Sequence, residues 1–406
     1  MSNSPAAYCW MPLLAVAVLS GCGEPLELGP AAAKPLAAAT AVPVDLQGLH
    51  LQSVASFDVY LDRNTVHAAF VATAADTKTL YTAYVYSEDG GRHWSSPQAI
   101  APAAGRPIES KAGNDIQIAA SGEKLLAVWQ ATGELPGMGP LASAYSTDGG
   151  QTWTAGAKPT GSDADQSHPD LLADADGRFH AVWLDDRDEN GYQGLRYARS
   201  SDAGQHWELA QTIDDTSCSC CWNRLATGAG GSINALYRDM VPRDMALAQS
   251  NDAGASWHRA STVGAFGWQF DGCPHNGGGL ALAGDGSLHS VVWTGAENRV
   301  GLYHMQSGDN GASWTPPQRL GEGPAFHADI AAGAGRLVAV WDALGPEGSR
   351  VYISESADNG RNWLPARQLA PASASFPRIV ATPNGFLAMW LEQSPTGKQW
   401  SAAVLQ

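Results

Sequence analysis

Ser87-Glu88-Asp89-Gly90-Gly91-Arg92-His93-Trp94 decides the fold of this chain, because its pattern, Ser-x-Asp-x-Gly-x-x-Trp, is written six times. It returns at Ser146 to Trp153, Ser200 to Trp207, Ser250 to Trp257, Ser307 to Trp314 and Ser356 to Trp363. The starts are spaced by roughly fifty to sixty residues, the period of a solenoid or a propeller. Each copy follows a short alternating run such as Tyr81 to Tyr86 and precedes another short apolar run, which reads as strand, tight turn, strand. The chemistry is that of a turn. Ser and Asp oxygens accept the amides of a chain reversing within a few residues, and Gly takes the backbone angles required. The Trp is expected to bury its ring across the base of its own hairpin and so pin the register.

Each repeat parses as four strands. In the third, Asp170 to Ala173 is the innermost, Arg178 to Leu184 the second, Leu195 to Arg199 the third and Leu209 to Ile213 the outermost. Second strands recur at His67 to Val71, Leu125 to Gln130, Asn234 to Arg238, Leu288 to Trp293, Leu337 to Trp341 and Phe386 to Trp390, making seven against six turn phrases. The fold class is therefore all-β, a propeller of four-stranded antiparallel blades, seven in number with six as the alternative. The seventh blade takes three strands from the C-terminus and borrows its outer strand from near Val44 to His50, a closure that leaves no free edge. In this parse the phrases lie on one face. Inner-strand starts and second-to-third loops converge on the other, at the mouth of the central channel.

The phrase is an Asp-box, and six copies at this spacing resemble the sialidase (neuraminidase) superfamily from about residue 44 onward. Its aspartates here, Asp89, Asp148, Asp202, Asp252, Asp309 and Asp358, have a structural role in that resemblance. The box belongs to hydrolases, lectin-like binders and scaffolds alike. The resemblance further implies a catalytic set of three arginines holding a carboxylate, a Tyr nucleophile activated by a Glu, and an Asp acid/base. The first inner strand reads Ser56-Phe57-Asp58-Val59-Tyr60, without the arginine of that pattern and with an acid that repels a carboxylate. Arginines at the mouth remain, Arg224, Arg238, Arg243 and Arg378, with Tyr237 beside Arg238. They are candidates for an anion clamp, and pairing with Asp239 or Asp244 on the same loop is the competing expectation. If the protein is an enzyme, it is a sialidase-like glycoside hydrolase.

The chain has 406 residues and a formal net charge of -16, which argues against nucleic acid as a partner, since phosphate binding needs a basic face. The first residues read as targeting. An apolar core from Met11 to Leu19 leads into Leu19-Ser20-Gly21-Cys22, which looks like a bacterial lipoprotein box with Cys22 acylated, although no Lys or Arg precedes it. Residues 1–22 are thus a signal peptide, 23–43 an Ala/Pro/Gly-rich tether and 44–406 the propeller. The expectation is an exported monomer, lipid-anchored at the outer membrane, touching the bilayer only through its anchor.

Apart from Cys9 and Cys22 in the targeting segment, the cysteines gather at one place in this parse. Cys218-Ser219-Cys220-Cys221-Trp222 opens the fourth repeat and Cys273-Pro274-His275 the fifth, so four thiols and an imidazole should meet at adjacent strand starts. His168-Pro169-Asp170 and His327-Ala328-Asp329 open the third and sixth repeats, and Asn114-Asp115 the second. Three readings stay open. The thiols form disulfides, as exported proteins favour, with Cys218 or Cys220 paired to Cys273. They hold copper or zinc with His275, more weakly with His168 or His327. Or one thiol beside His275 is a nucleophile. The leading expectation is a binding protein with a soft-metal or redox disulfide centre, whose ligand is a metal ion, small molecule or glycan. The alternative is a divergent exo-glycosidase or a glycan binder using the mouth arginines and the aromatics Phe266, Trp268 and Phe270. Two lesser expectations follow: His67, His180 and His289 share one buried blade position, and Asp185 to Asn190 forms a solvated acidic mouth loop, with calcium held by its oxygens as the alternative.

Overall fold

The computed structural model describes residues 34–40, 49–74, 79–100, 107–110, 116–133, 139–161, 165–186, 193–370, 372–395 and 397–406. Residues 35–406 form one compact unit. The described residues make seven four-stranded antiparallel sheets, the blades of a propeller. Blades 1 to 6 span residues 51–99, 116–155, 166–217, 224–263, 278–322 and 325–368, and blade 7 spans 374–405. In blade 3 the strands are Gln166–Ala173, Phe179–Asp186, Gln193–Ser200 and Gln211–Ser217, each overlapping the strand expected from sequence. First strands of successive blades pack on one another around the ring, including blade 1 on blade 7, and line the channel.

The fourth strand of blade 7 is Ala38–Thr40, antiparallel to Gly397–Leu405. This corrects the expectation of a closing strand near Val44 to His50 and moves the closure into the stretch read as tether. The physical reason is that the pairing is all backbone: Ala37 N donates to Gln406 O at 2.8 Å and Gln406 N to Ala37 O at 3.0 Å. An Ala-rich segment can make such bonds while carrying no strand signal in its side chains. The strap continues onto blade 6, where Leu36 N donates to Glu355 Oε2 at 2.8 Å and Arg367 bonds both Glu355 Oε1, at 2.8 Å, and Leu36 O, at 3.1 Å. Glu355 is buried, so this carboxylate is a joint between strap and ring.

In all six boxes the Ser hydroxyl donates to the Asp Oδ1. In the first this bond is 2.9 Å, and Gly91 N donates back to Ser87 Oγ at 2.8 Å. Asp Oδ1 also accepts the amide four residues on, from His93 in the first box to Asn362 in the sixth. These bonds hold the carboxylates of Asp89 and Asp148 down at about 2, against the burial that raises Asp89 and with the Thr152 hydroxyl the largest cause at Asp148. The Trp behaves differently from expectation, because it reaches the preceding blade and not the base of its own hairpin. Trp153 packs edge-on against Tyr84 of blade 1 at 5.3 Å, and Trp257 against Tyr197 of blade 3 at 4.8 Å. Trp207 Nε1 donates to Ala157 O at 3.0 Å and Trp314 Nε1 to Ser261 Oγ at 2.9 Å. Trp363 Nε1 donates to His304 at 3.3 Å, and Trp94 packs on Trp400 of blade 7 at 5.2 Å. Burial explains the difference: apolar clusters lie between neighbouring blades, and a large ring gains most there. The 6/7 junction, beside the blade without a box, carries the strap in place of a Trp.

His67, His180 and His289 occupy one second-strand position, as expected, and pack the blades. His67 and His180 bond Tyr84 and Tyr197 hydroxyls at 2.7 Å, and His289 bonds His304 at 3.0 Å.

Candidate functional site

Three connections build the mouth around blade 4: residues 217–223 entering its first strand, 239–244 between its second and third, and 264–277 leading to blade 5. Two buried arginines lace them together. Arg238 donates from Nε to Asn276 O at 2.9 Å, from Nη1 to Arg243 O at 2.6 Å and from Nη2 to Trp293 O at 3.0 Å, with its guanidinium over the Trp268 ring. Arg243 donates from Nε to Phe270 O at 3.0 Å and from Nη1 to Cys218 Sγ at 2.9 Å. Neither takes the expected partner. Asp239 instead pairs with Arg259, and Asp244 accepts the amides of Gly267, at 2.7 Å, and Trp268, at 3.2 Å. The carbonyls of tight loops cannot otherwise be satisfied once buried, and a planar five-donor guanidinium meets several at once.

This scaffold brings all four cysteines together as free thiols. Cys218 Sγ lies 3.2 Å from Cys221 Sγ and 3.8 Å from Cys220 Sγ. Cys218, Cys220 and Cys221 are buried, while Cys273 and His275 are exposed. The ligand atoms of Cys218, Cys220 and Cys221 lie within 4.8 Å of one another, as do those of Cys220, Cys273 and His275. Cys220 belongs to both groups. Hydrogen bonds from the other two thiols pull the Cys218 pKa down, with the Arg243 charge adding to them. The same contacts push Cys220 up, and burial pushes Cys221 up.

His168 and His327, the weaker ligand candidates, belong to neither group. His168 bonds Ser167 Oγ at 2.8 Å and is held down to about 4 by burial and then by the charge of His275. His327 Nδ1 is bonded by Asp342 at 2.9 Å. Both rings lie edge-on to Trp222, at 5.4 and 4.8 Å, and His327 also meets Phe376 at 3.9 Å. Trp222 follows Cys221 directly, so the thiol loop also supplies the aromatic cap of the channel.

Beneath that cap is a cavity of about 30 Å³, lined by Asp170, Arg224, Asp329 and Arg378 among others. Arg378 pairs with Asp58 at 2.7 Å and Asp329 at 3.4 Å, and Arg224 with Asp329 at 3.2 Å and Asp170 at 3.6 Å. Each aspartate also accepts an amide from a neighbouring blade's inner strand: Asp58 from Ile118 at 3.0 Å, Asp329 from Ile379 at 3.1 Å and Asp170 from Leu225. Burial raises Asp170 to about 6 and raises Asp58, with the arginines opposing. Tyr237, the tyrosine candidate, lies in the core between blades 3 and 4, its hydroxyl on Asp214 at 2.6 Å and its pKa raised by burial. Trp268 is buried, and Phe270 stacks on it at 5.3 Å. Cys22, Asn114-Asp115 and most of the acidic loop lie outside the described residues.

Sequence reasoning missed Arg243 as a thiol partner and the three inner-strand aspartates as a set. The second had a signal, since Asp58, Asp170 and Asp329 stand at matching inner-strand positions.

The BNR repeat-like domain family matches residues 59–265, just over half of the chain. The chain belongs to this family. Three solved structures show the same fold as this BNR propeller. One is a protein of unknown function from Dyadobacter fermentans, with a TM-score of 0.52 and 12% identity, covering 92% of this chain and 98% of that one. YCF48 bound to a D1 peptide gives 0.53 and 14%, covering 92% and 96%. A family PL25 ulvan lyase bound to -[GlcA(1-4)Rha3S]- gives 0.55 and 12%, covering 88% and 93%. No curated protein matches the sequence. The BNR propeller is thus a divergent Asp-box protein with seven blades.

Proposed function

We propose that this BNR propeller is an envelope lipoprotein, anchored through Cys22, that binds copper or zinc through thiolate and imidazole at its channel mouth, and that it acts by binding and not by glycoside hydrolysis. The observation that carries the reading is that Cys218, Cys220 and Cys221, and Cys220, Cys273 and His275, form two groups that share Cys220, the ligand atoms of each lying within 4.8 Å of one another. Two ligands of one ion, each about 2.0–2.3 Å from it, lie no more than about 4.6 Å apart. Sulfur with imidazole suits copper or zinc and not the hard cations that prefer oxygen. Arg243 contributes a charge-assisted hydrogen bond to Cys218, which orients a ligand and offsets thiolate charge. In an oxidising compartment four neighbouring thiols stay reduced when an ion holds them.

A redox dithiol is the second reading, favoured by the 3.2 Å separation of Cys218 and Cys221 at Cys-x-x-Cys spacing. The deciding experiment is elemental analysis of the full chain by plasma mass spectrometry with a parallel thiol count, beside a variant with all four cysteines changed to Ala. Copper or zinc near stoichiometry, lost in the variant, supports the metal reading. No metal with a Cys218–Cys221 bridge supports the redox reading, and neither outcome leaves the thiols as packing alone.

A further inference from the structure

We propose, resting on the metal reading above, that the centre is dinuclear: one copper(I) ion bound by Cys218, Cys220 and Cys221, a second by Cys220, Cys273 and His275, and the Cys220 thiolate bridging them. The geometry argues against one ion taking all five donors. Any set of atoms bound to a single ion lies within about 4.6 Å in every pair. The five atoms do not form one group even within 4.8 Å; at that distance they form two groups of three that overlap at Cys220. Sulfur tolerates that sharing, since a thiolate has lone pairs for two soft ions.

The donor count then selects the metal. Zinc in a protein cage takes four ligands, whereas copper(I) is satisfied by three soft donors in a plane. Charge permits the second ion. The inner copper(I) displaces three thiol protons, and three thiolates with that ion and the Arg243 guanidinium leave one negative charge. The outer copper(I) displaces the proton of Cys273, and the added thiolate and added ion cancel.

The two positions differ in access. Cys218, Cys220 and Cys221 are 1%, 6% and 1% exposed, whereas Cys273 and His275 face solvent. The outer ion therefore exchanges with a chelator in solution, and the inner ion leaves only through the outer position or by opening of the 217–223 loop.

The test is anaerobic titration of the full, reduced chain with copper(I) supplied as its acetonitrile complex. Native mass spectrometry counts the ions and copper X-ray absorption looks for a copper–copper vector. The proposal expects two ions per chain, a copper–copper vector, and biphasic removal by a bathocuproine chelator. A Cys273→Ser/His275→Ala variant, with unchanged circular dichroism and melting temperature, should keep one ion, lose the vector and lose the fast phase. Cys220→Ser should lose the vector as well. One ion in the wild-type chain, or two ions with no vector, overturns the dinuclear centre while leaving the metal reading intact. Zinc bound at one per chain in preference to copper(I) also overturns it. No copper bound at all removes the metal reading itself.

Discussion

Adjacent glycines in the second box separate the turn's own requirement from its contact with the neighbouring blade. Gly149 and Gly150 both adopt left-handed backbone, with φ of 72° and 87°. A Cβ on Gly149 meets nothing within 4 Å, whereas one on Gly150 lands 2.2 Å from Cε1 and 2.8 Å from Cζ of Tyr84. Gly149→Ala should cost only the left-handed strain of an L-residue, about 1–2 kcal/mol. Gly150→Ala carries the same strain and must also displace a ring that is 1% exposed, packed on Trp153 and bonded through its hydroxyl to His67. Overpacking adds about 1–3 kcal/mol. Loss of the buried Tyr84–His67 bond adds about 1–3 more. The expected gap between the two variants is therefore about 2–6 kcal/mol, read from urea midpoints followed by circular dichroism. In a Tyr84→Ala background the gap should close, because the displaced ring is gone and only strain remains. Equal losses for the two single variants, or a gap that survives removal of Tyr84, would refute the claim that the box clamps the preceding blade.

Glu355→Ala removes the acceptor shared by Leu36 N and Arg367, and about 1.5–3 kcal/mol of stability should go with it, together with faster proteolytic cleavage ahead of residue 38. Protection unchanged in that variant would deny the joint. Acid should also weaken the ring. Burial holds His67 and His289 down at about 4, below the unfolded value of about 6.5, so the unfolded chain binds more protons between those limits. Stability is then fully present above about pH 6.5 and falls as pH drops toward 4, by up to about 1.4 kcal/mol per pH unit at each site. Asp170, raised to about 6, opposes one of them. Thermal melts of wild type and His67→Gln across that range check it, the variant showing the shallower slope. A fluorogenic sialoside should not be turned over, because Arg224 and Arg378 already face aspartates 2.7–3.6 Å away; turnover abolished by Arg378→Met would overturn that expectation.

What could be read from the sequence was whatever repeats at short range. Seven second strands against six boxes gave the blade number, since each strand carries its own alternation. The Ser, Asp and Gly of the box were legible because their bonds stay within one turn. The Trp was misassigned because its partner sits on another blade, and nothing local says which surface a ring will bury. The closing strand was placed a few residues late because Ala38–Thr40 pairs through backbone alone. The thiol group could be foreseen because all four cysteines stand at strand starts on adjacent blades. The Arg243 bond to Cys218 spans 25 residues and two loops, and no pattern announces it.

The direction of the Trp contacts has a consequence for the order in which the molecule can assemble during synthesis. Five of the six rings point backward, at a blade whose chain is already made when the Trp emerges. Trp94 alone waits, because its partner Trp400 lies on blade 7, which follows all the other blades in the chain. Ala38–Thr40 waits beside it for Ala403 to Leu405. Five junctions can therefore zip up in step with elongation, while the first blade keeps an open flank until blade 7 arrives. Two long-range contacts then form together, and the arc becomes a ring in one late event.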